Sequence, residues 1–297
     1  MKAYKKLTTL LIFVFLVVLA GSYVRSTGSG LGCPDWPKCF GKLIPPTSVE
    51  QLPANYQELY QVNGRSIAPF SVFKTYVEYL NRLLGVLLGL YAIYYLLWSL
   101  KNRSKKTHRS LMAFLILVSI SLQGVIGKLV VSRHLEVNTI SIHLIMTLFI
   151  IALILYARQK EAPKNNLNFS KEEKTFFYLL TLLTFIQIFL GLKVREVTDG
   201  LLLLEESIPR SMWGLKMPLS FSIHRLVAFI LLFFQFLFSL KIRHPETLKL
   251  TLLLMAEILL GFLIVISSFS SLIMPIHLLL MVIYLSKLLE IHLAIKK

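Results

Sequence analysis

Charged side chains are scarce in this chain, and acidic ones scarcer still: 16% of its 297 residues are charged, with 15 Asp and Glu against 32 Lys and Arg. A water-soluble domain carries roughly 25% charged residues, so the polar surface here is too small to cover a particle in water. Cysteine is nearly missing as well. The two present, Cys33 and Cys39, limit the chain to one disulfide. What is abundant is hydrocarbon, with 56% hydrophobic residues and a mean hydropathy of +0.69. The formal charge of +17 could suggest nucleic acid. The basic residues, however, sit in short clusters between apolar runs, as cytoplasmic loops of a membrane protein do, and nucleic-acid binding is excluded on that placement.

The apolar residues are grouped in runs of about 20, enough for a helix to cross about 30 Å of hydrocarbon. Eight spans are predicted, over 7–24, 76–100, 110–131, 137–157, 175–193, 219–240, 248–267 and 271–289. The first resembles a signal peptide, because Lys2, Lys5 and Lys6 precede it, but the repeat described next argues that it is retained. Orientation follows from the basic residues. Lys2, Lys5 and Lys6; Lys101, Arg103, Lys105, Lys106 and Arg109; Arg158, Lys160, Lys164, Lys171 and Lys174; Lys241, Arg243 and Lys249; and Lys287, Lys296 and Lys297 all fall on one side. Both termini are therefore expected in the cytoplasm of a cell with this protein in its inner membrane. The loop over 25–75 and the stretch from Lys193 to Leu219 are expected outside. Disulfides persist there, and the proline-stiffened loop Cys33-Pro-Asp-Trp-Pro-Lys-Cys39 favours one over two free thiols or a metal site lacking a nearby histidine.

The chain repeats itself. Gly21, Val24, Arg25, Gly30 and Leu31 recur 170 residues later as Gly191, Val194, Arg195, Gly200 and Leu201. Asn81-Arg82 recurs as His224-Arg225, Gln123…Gly127 as Glu257…Gly261, and His143-Leu144 as His277-Leu278, in the same order. Two halves of four helices each, 1–160 and 161–297, are expected as a parallel repeat, since an even number of spans preserves orientation.

Asn81, His143, His224 and His277 each lie about five or six residues into spans two, four, six and eight, roughly 8–9 Å below the outer boundary at 1.5 Å per residue. Buried polar residues are costly in lipid and face a bundle interior. One membrane histidine can simply bond a neighbouring helix, at about 0.6 kcal/mol. A duplicated set at matched depth points instead to haem, whose iron takes an imidazole from each side in an apolar slot. Two histidines without carboxylate or thiolate make an incomplete zinc or copper site. Arg82 and Arg225 could meet propionates as bidentate partners. Glu78, one helical turn before Asn81, could move a proton at a reacting centre or stand as an interfacial carboxylate. Glu257, deeper, calls for a hydrogen-bond partner or is protonated through desolvation. His108, His134, His244 and His292 fall in loops or near helix ends and are given no role.

Arg25-Ser-Thr-Gly-Ser-Gly-Leu-Gly-Cys33-Pro-Asp-Trp-Pro-Lys-Cys39 resembles the signature after the first helix of the haem A synthases, a bacterial and mitochondrial family that converts haem O to haem A. Glu78-Tyr-Leu-Asn81-Arg82, Gln123-Gly-Val-Ile-Gly127, His143-Leu144, His224-Arg225 and His277-Leu278 resemble its later motifs in order. The resemblance implies an all-α integral membrane fold of two pseudo-symmetric four-helix bundles. It implies haem b as cofactor in the C-terminal half on His224 and His277, and haem O as substrate in the N-terminal half. Glu78 matches the acidic position and Cys33 and Cys39 the cysteine pair. Asn81 departs from the histidine many members carry, which leaves His143 as the one strong ligand for substrate iron and Asn81 and Arg82 beside it. Implied partners are haem O, haem O synthase, terminal oxidase assembly factors, an electron donor such as quinol, and lipid. Two other readings share the duplicated histidines: a haem b membrane electron carrier oxidising quinol, and a non-enzymatic haem transporter or assembly factor.

Overall fold

The computed structural model describes residues 1–62, 64, 66–102, 107–162, 167–202, 204 and 207–295. Arg103, Lys105, Lys106, Lys164, Lys296 and Lys297, used above to orient the chain, lie outside the described residues. Eight long helices dominate: α1 Lys2–Ser26, α2 Val72–Lys101, α3 Thr107–Ser132, α4 Val137–Glu161, α5 Lys171–Leu202, α6 Leu219–Ile242, α7 Pro245–Ile266 and α8 Ile273–Ala294. All eight are long and apolar enough to cross a membrane, and no β-strand occurs among the described residues.

The helices overrun the expected spans, α5 most of all. Its last turns carry Lys193, Arg195, Glu196 and Asp199, which read as an outer loop in sequence. In the structure these charges pair along the helix, Lys193 with Glu196 at 3.0 Å and Arg195 with Asp199 at 3.7 Å, the i,i+3 and i,i+4 neighbours a helix brings together. The corresponding end of α1 stops instead. Gly28 turns the chain at φ 64°, and Ser29 and Gly28 donate their N–H groups back to the carbonyls of Val24 (2.8 Å) and Arg25 (3.1 Å), closing the helix. The repeat puts Thr198 where Gly28 stands, so α5 continues.

Contacts divide the chain into two compact units, Met1–Glu161 and Ala162–Lys297. In the first, α1 packs on α2, α2 on α3, α3 on α4 and α4 back on α1, leaving α2 and α4 at opposite corners of a ring. In the second, α5, α6, α7 and α8 pack in succession, and Tyr178 of α5 stacks against His292 of α8 at 5.6 Å. That puts α6 and α8 at opposite corners too.

Each unit has one packed end among its helices and a smaller buried cluster in its loop, around Phe40 in the first and Trp213 in the second. In the first, Leu7, Leu10, Val14, Leu88, Ile116, Ile150, Ile151 and Ile154 are buried against one another. In the second, Phe177, Leu180, Leu231, Phe238, Leu250, Leu254, Val282 and Leu285 are. Between this packed end and the loop end lies a slice where packing stops. No residue is fully buried over 79–87, 121–132 or 140–146, nor over 185–194, 219–230, 255–266 or 276–281. Asn81, His143, His224 and His277 all lie in it.

The duplication extends to backbone torsions. After α3, His134 and Leu135 take left-handed conformations (φ 54° and 59°). After α7, 134 residues on, Ser268 and Phe269 do the same (φ 54° and 57°). Leu135 N–H donates to the Val130 carbonyl at 2.9 Å and Phe269 N–H to that of Ile264 at 2.7 Å. Two adjacent non-glycine residues in that region are uncommon, so their recurrence at matched positions extends the repeat from residue types to conformation.

Candidate haem-binding site

Each polar position in the open slice faces a glycine on the preceding helix. A Cβ added to Gly127 of α3 would lie 3.4 Å from Cε1 of His143 on α4. One on Gly191 of α5 would lie 3.2 Å from Cε1 of His224 on α6, and one on Gly261 of α7 would lie 3.5 Å from Cε1 of His277 on α8. Gly21 of α1 meets Asn81 of α2 the same way, at 3.6 Å from its Oδ1. The glycines are seats, where a missing side chain lets the ring lie close against the neighbouring helix. In all three histidines Nδ1 is buried against the preceding helix, so Nε2 is the nitrogen left to reach a ligand.

One turn before each histidine-facing glycine stands a side chain that grips the histidine. Gln123 Nε2 donates to the main-chain carbonyl of His143 (2.9 Å) and to Thr147 Oγ1 (2.6 Å). Gln187 Nε2 donates to the carbonyl of His224 at 2.9 Å. Glu257 Oε1 lies 3.2 Å from Nδ1 of His277. Opposite Asn81 the position one turn before Gly21 is Val17, which cannot hydrogen-bond. Sequence reasoning missed Gln187 and read the glycines only as repeat markers. The signal was present: Gln123-x-x-x-Gly127, Gln187-x-x-x-Gly191 and Glu257-x-x-x-Gly261 share one spacing, which puts both residues on one helix face.

Glu78 and Arg82 flank Asn81 at the loop end of α2. There they fasten the cysteine loop. Cys33 and Cys39 form a disulfide, with Cα atoms 4.7 Å apart. Glu78 Oε2 accepts the Cys33 N–H at 2.8 Å, and Thr75 Oγ1 donates to the Gly32 carbonyl at 2.9 Å. Arg82 donates to the carbonyls of Cys33 (2.6 Å), Asp35 (2.6 Å) and Lys38 (3.0 Å) and to Glu78 Oε1 (2.5 Å). Four of the five donors of this guanidinium are thus committed to holding the loop. Gly32 admits no side chain, because a Cβ there would fall 2.4 Å from the Lys74 carbonyl oxygen.

Arg225, the counterpart of Arg82, behaves differently. It is exposed, makes no ion pair among the described residues, and lies over the Phe221 ring at 5.6 Å. Phe221 occupies the place of Glu78 in the repeat. The second unit's loop is held elsewhere, by Arg210 donating to the Phe269 carbonyl at 2.8 Å and by the buried Trp213 against Phe269 at 5.7 Å. Of the other histidines, His244 caps α7 by accepting the Glu246 N–H at 3.2 Å, His292 stacks on Tyr178, His134 forms the turn after α3 and His108 is exposed.

These residues fit a flat ring better than a bare ion. No group of three or more metal-ligating side chains forms among the described residues, so an ion has no multidentate cage. A haem needs only axial nitrogens on opposite sides of a slot. His224 and His277, on helices at opposite corners of their unit, meet that need; in the first unit the helix opposite His143 carries an amide, Asn81, at the matching place.

The chain matches the family described as "Cytochrome oxidase assembly protein" over residues 5–289. A Shewanella oneidensis protein named "Heme A synthase" is 31% identical over 154 residues, 52% of this chain and 44% of its own length. A Bartonella henselae protein of the same name is 29% identical over 65% of this chain and 58% of its own length. One from Alkalihalophilus pseudofirmus is 26% identical over 91% and 85%. The matched region thus spans about half the length of the first two relatives.

Proposed function

Because the chain belongs to the cytochrome oxidase assembly protein family, and its eight apolar helices make it a multi-pass membrane protein, we propose that it is a haem A synthase. It oxidises the ring methyl of haem O to a formyl group by successive hydroxylations, giving haem A for a terminal oxidase. The observation that carries this reading is the asymmetry of four matched seats: two histidines in one unit, one histidine and an asparagine in the other. Haem b, when bound, supplies a one-electron relay in the C-terminal half.

His224 and His277 bind that cofactor through Nε2, with Gly191 and Gly261 letting the rings lie close and Arg225 offering its uncommitted donors to a propionate. In the N-terminal half His143 holds the iron of the substrate haem. Asn81 is a poor ligand to iron, and keeps the opposite side of the ring open to a small molecule. Arg82 acts through the loop that it ties down over this half. We assign to Glu78 the exchange of a proton with the substrate. Glu78→Gln removes that role and keeps an amide oxygen for the Cys33 N–H but loses the ion pair to Arg82. Its thermal midpoint, read beside haem A yield, separates proton exchange from loop-holding. The protein is proposed to lie in the cell membrane with both termini cytoplasmic and both histidine-bearing ends toward the outer face.

The test is expression with a haem O source, followed by extraction and chromatography of haems. Haem A is expected in cells carrying the unaltered chain and is lost with Glu78→Gln. Folded, haem-loaded protein that yields no haem A would overturn the proposal and leave an electron carrier or haem carrier.

A further inference from the structure

Gln123 and Glu257 occupy equivalent places in the two units, each one turn before a glycine that seats a histidine. They grip differently. Gln123 donates to the main chain of His143 and leaves its imidazole alone. Glu257 reaches the ring itself, with Oε1 3.2 Å from Nδ1 of His277. The Glu257 side chain is only 12% exposed, no lysine or arginine pairs with it among the described residues, and its Oε2 has no hydrogen-bond partner there. A carboxyl group placed in a membrane interior without a cationic partner is costly, and here it stands 3.2 Å from this imidazole.

We propose that Glu257 is a positioning residue for His277. Its carboxyl oxygen accepts the Nδ1–H, fixes the tautomer that presents Nε2 to iron, and lowers the reduction potential of the haem held there. The inference rests on the reading of His277 as an axial ligand. An acceptor behind a ligating imidazole orients the ring and raises its basicity. Greater donation from Nε2 favours ferric over ferrous iron, and an ionised carboxylate oxygen accepts more strongly than the oxygen of a glutamine amide. Among the described residues no carboxyl group pairs with His143 or His224, where the glutamines in the equivalent place donate to backbone. The repeat has therefore been altered at one position in a way that acts on one imidazole.

The experiment is redox potentiometry of purified, haem-loaded full-length protein, followed by absorbance, with haem content measured in parallel. Glu257→Gln is expected to keep haem within about twofold of the unaltered protein and to shift the midpoint potential upward. Glu257→Asp, which retains a carboxyl group, is expected to fall between the two. If Glu257→Gln loses haem and Glu257→Asp keeps it, the requirement for a carboxyl acceptor is upheld. An unchanged potential in Glu257→Gln at full haem content overturns the inference. Failure of the ligand assignment looks different: His277→Ala would then keep the low-spin haem spectrum.

Discussion

Arg82 and Arg225 occupy the same turn of equivalent helices, yet one is tied down and the other is loose. Arg82 makes four hydrogen bonds, three to loop carbonyls and one to Glu78. Arg225 rests on Phe221, in the place of that glutamate, with its donors uncommitted. Phenylalanine in place of the glutamate, together with a loop that offers no converging carbonyls among the described residues, leaves the second arginine free for a ligand. Duplication preserved the seats for the four polar side chains, and the loops above them diverged.

The largest test of this contrast removes the ligands themselves. His277→Ala or His224→Ala is expected to abolish the low-spin haem b spectrum, whereas His143→Ala keeps that spectrum and loses haem A. Identical spectral losses from both halves would erase the division of labour. A smaller effect separates the arginines. Arg82→Gln leaves Glu78 buried without its ionic partner and is expected to lower stability by about 3 kcal/mol, read as a drop in thermal midpoint in detergent. Arg225→Gln is expected to stay within about 0.5 kcal/mol, as surface changes do, while haem dissociates faster. Equal destabilisation by the two would show that Arg225 also holds structure. The smallest test contrasts two glycines of α5. Gly191→Ala would bring a methyl within 3.2 Å of His224 and is expected to weaken haem retention at a cost of about 1 kcal/mol. Gly200→Ala meets nothing within 4 Å and is expected to raise stability by up to about 1 kcal/mol. Haem off-rates in the two variants provide the comparison.

Much of this was legible in the sequence because lipid demands long apolar helices, and because a repeat shows itself in matched residues. The eight spans and the cysteine pair could be read directly. The end of α5 could not, since Lys193, Arg195, Glu196 and Asp199 look like a loop until helical pairing is considered. Arg82 was expected at a propionate; only the folded loop reveals three carbonyls converging on it, and carbonyls leave no mark in a sequence. Gln187 escaped notice for a different reason. Its partner is the backbone of His224, and its place in the repeat is held by Val17 in the first half, so no matched polar residue drew attention to it.

The packed end of the first unit has a consequence for the membrane in which it sits. Leu7, Leu10, Leu11, Val14, Leu88, Ile116, Ile150, Ile151 and Ile154 make that end a hydrocarbon plug, continuous in character with the lipid around it. A protein with an open, polar-lined slice inside a bilayer risks becoming a leak for ions. Here the slice ends blindly on aliphatic side chains, so this unit insulates one aqueous face from the other.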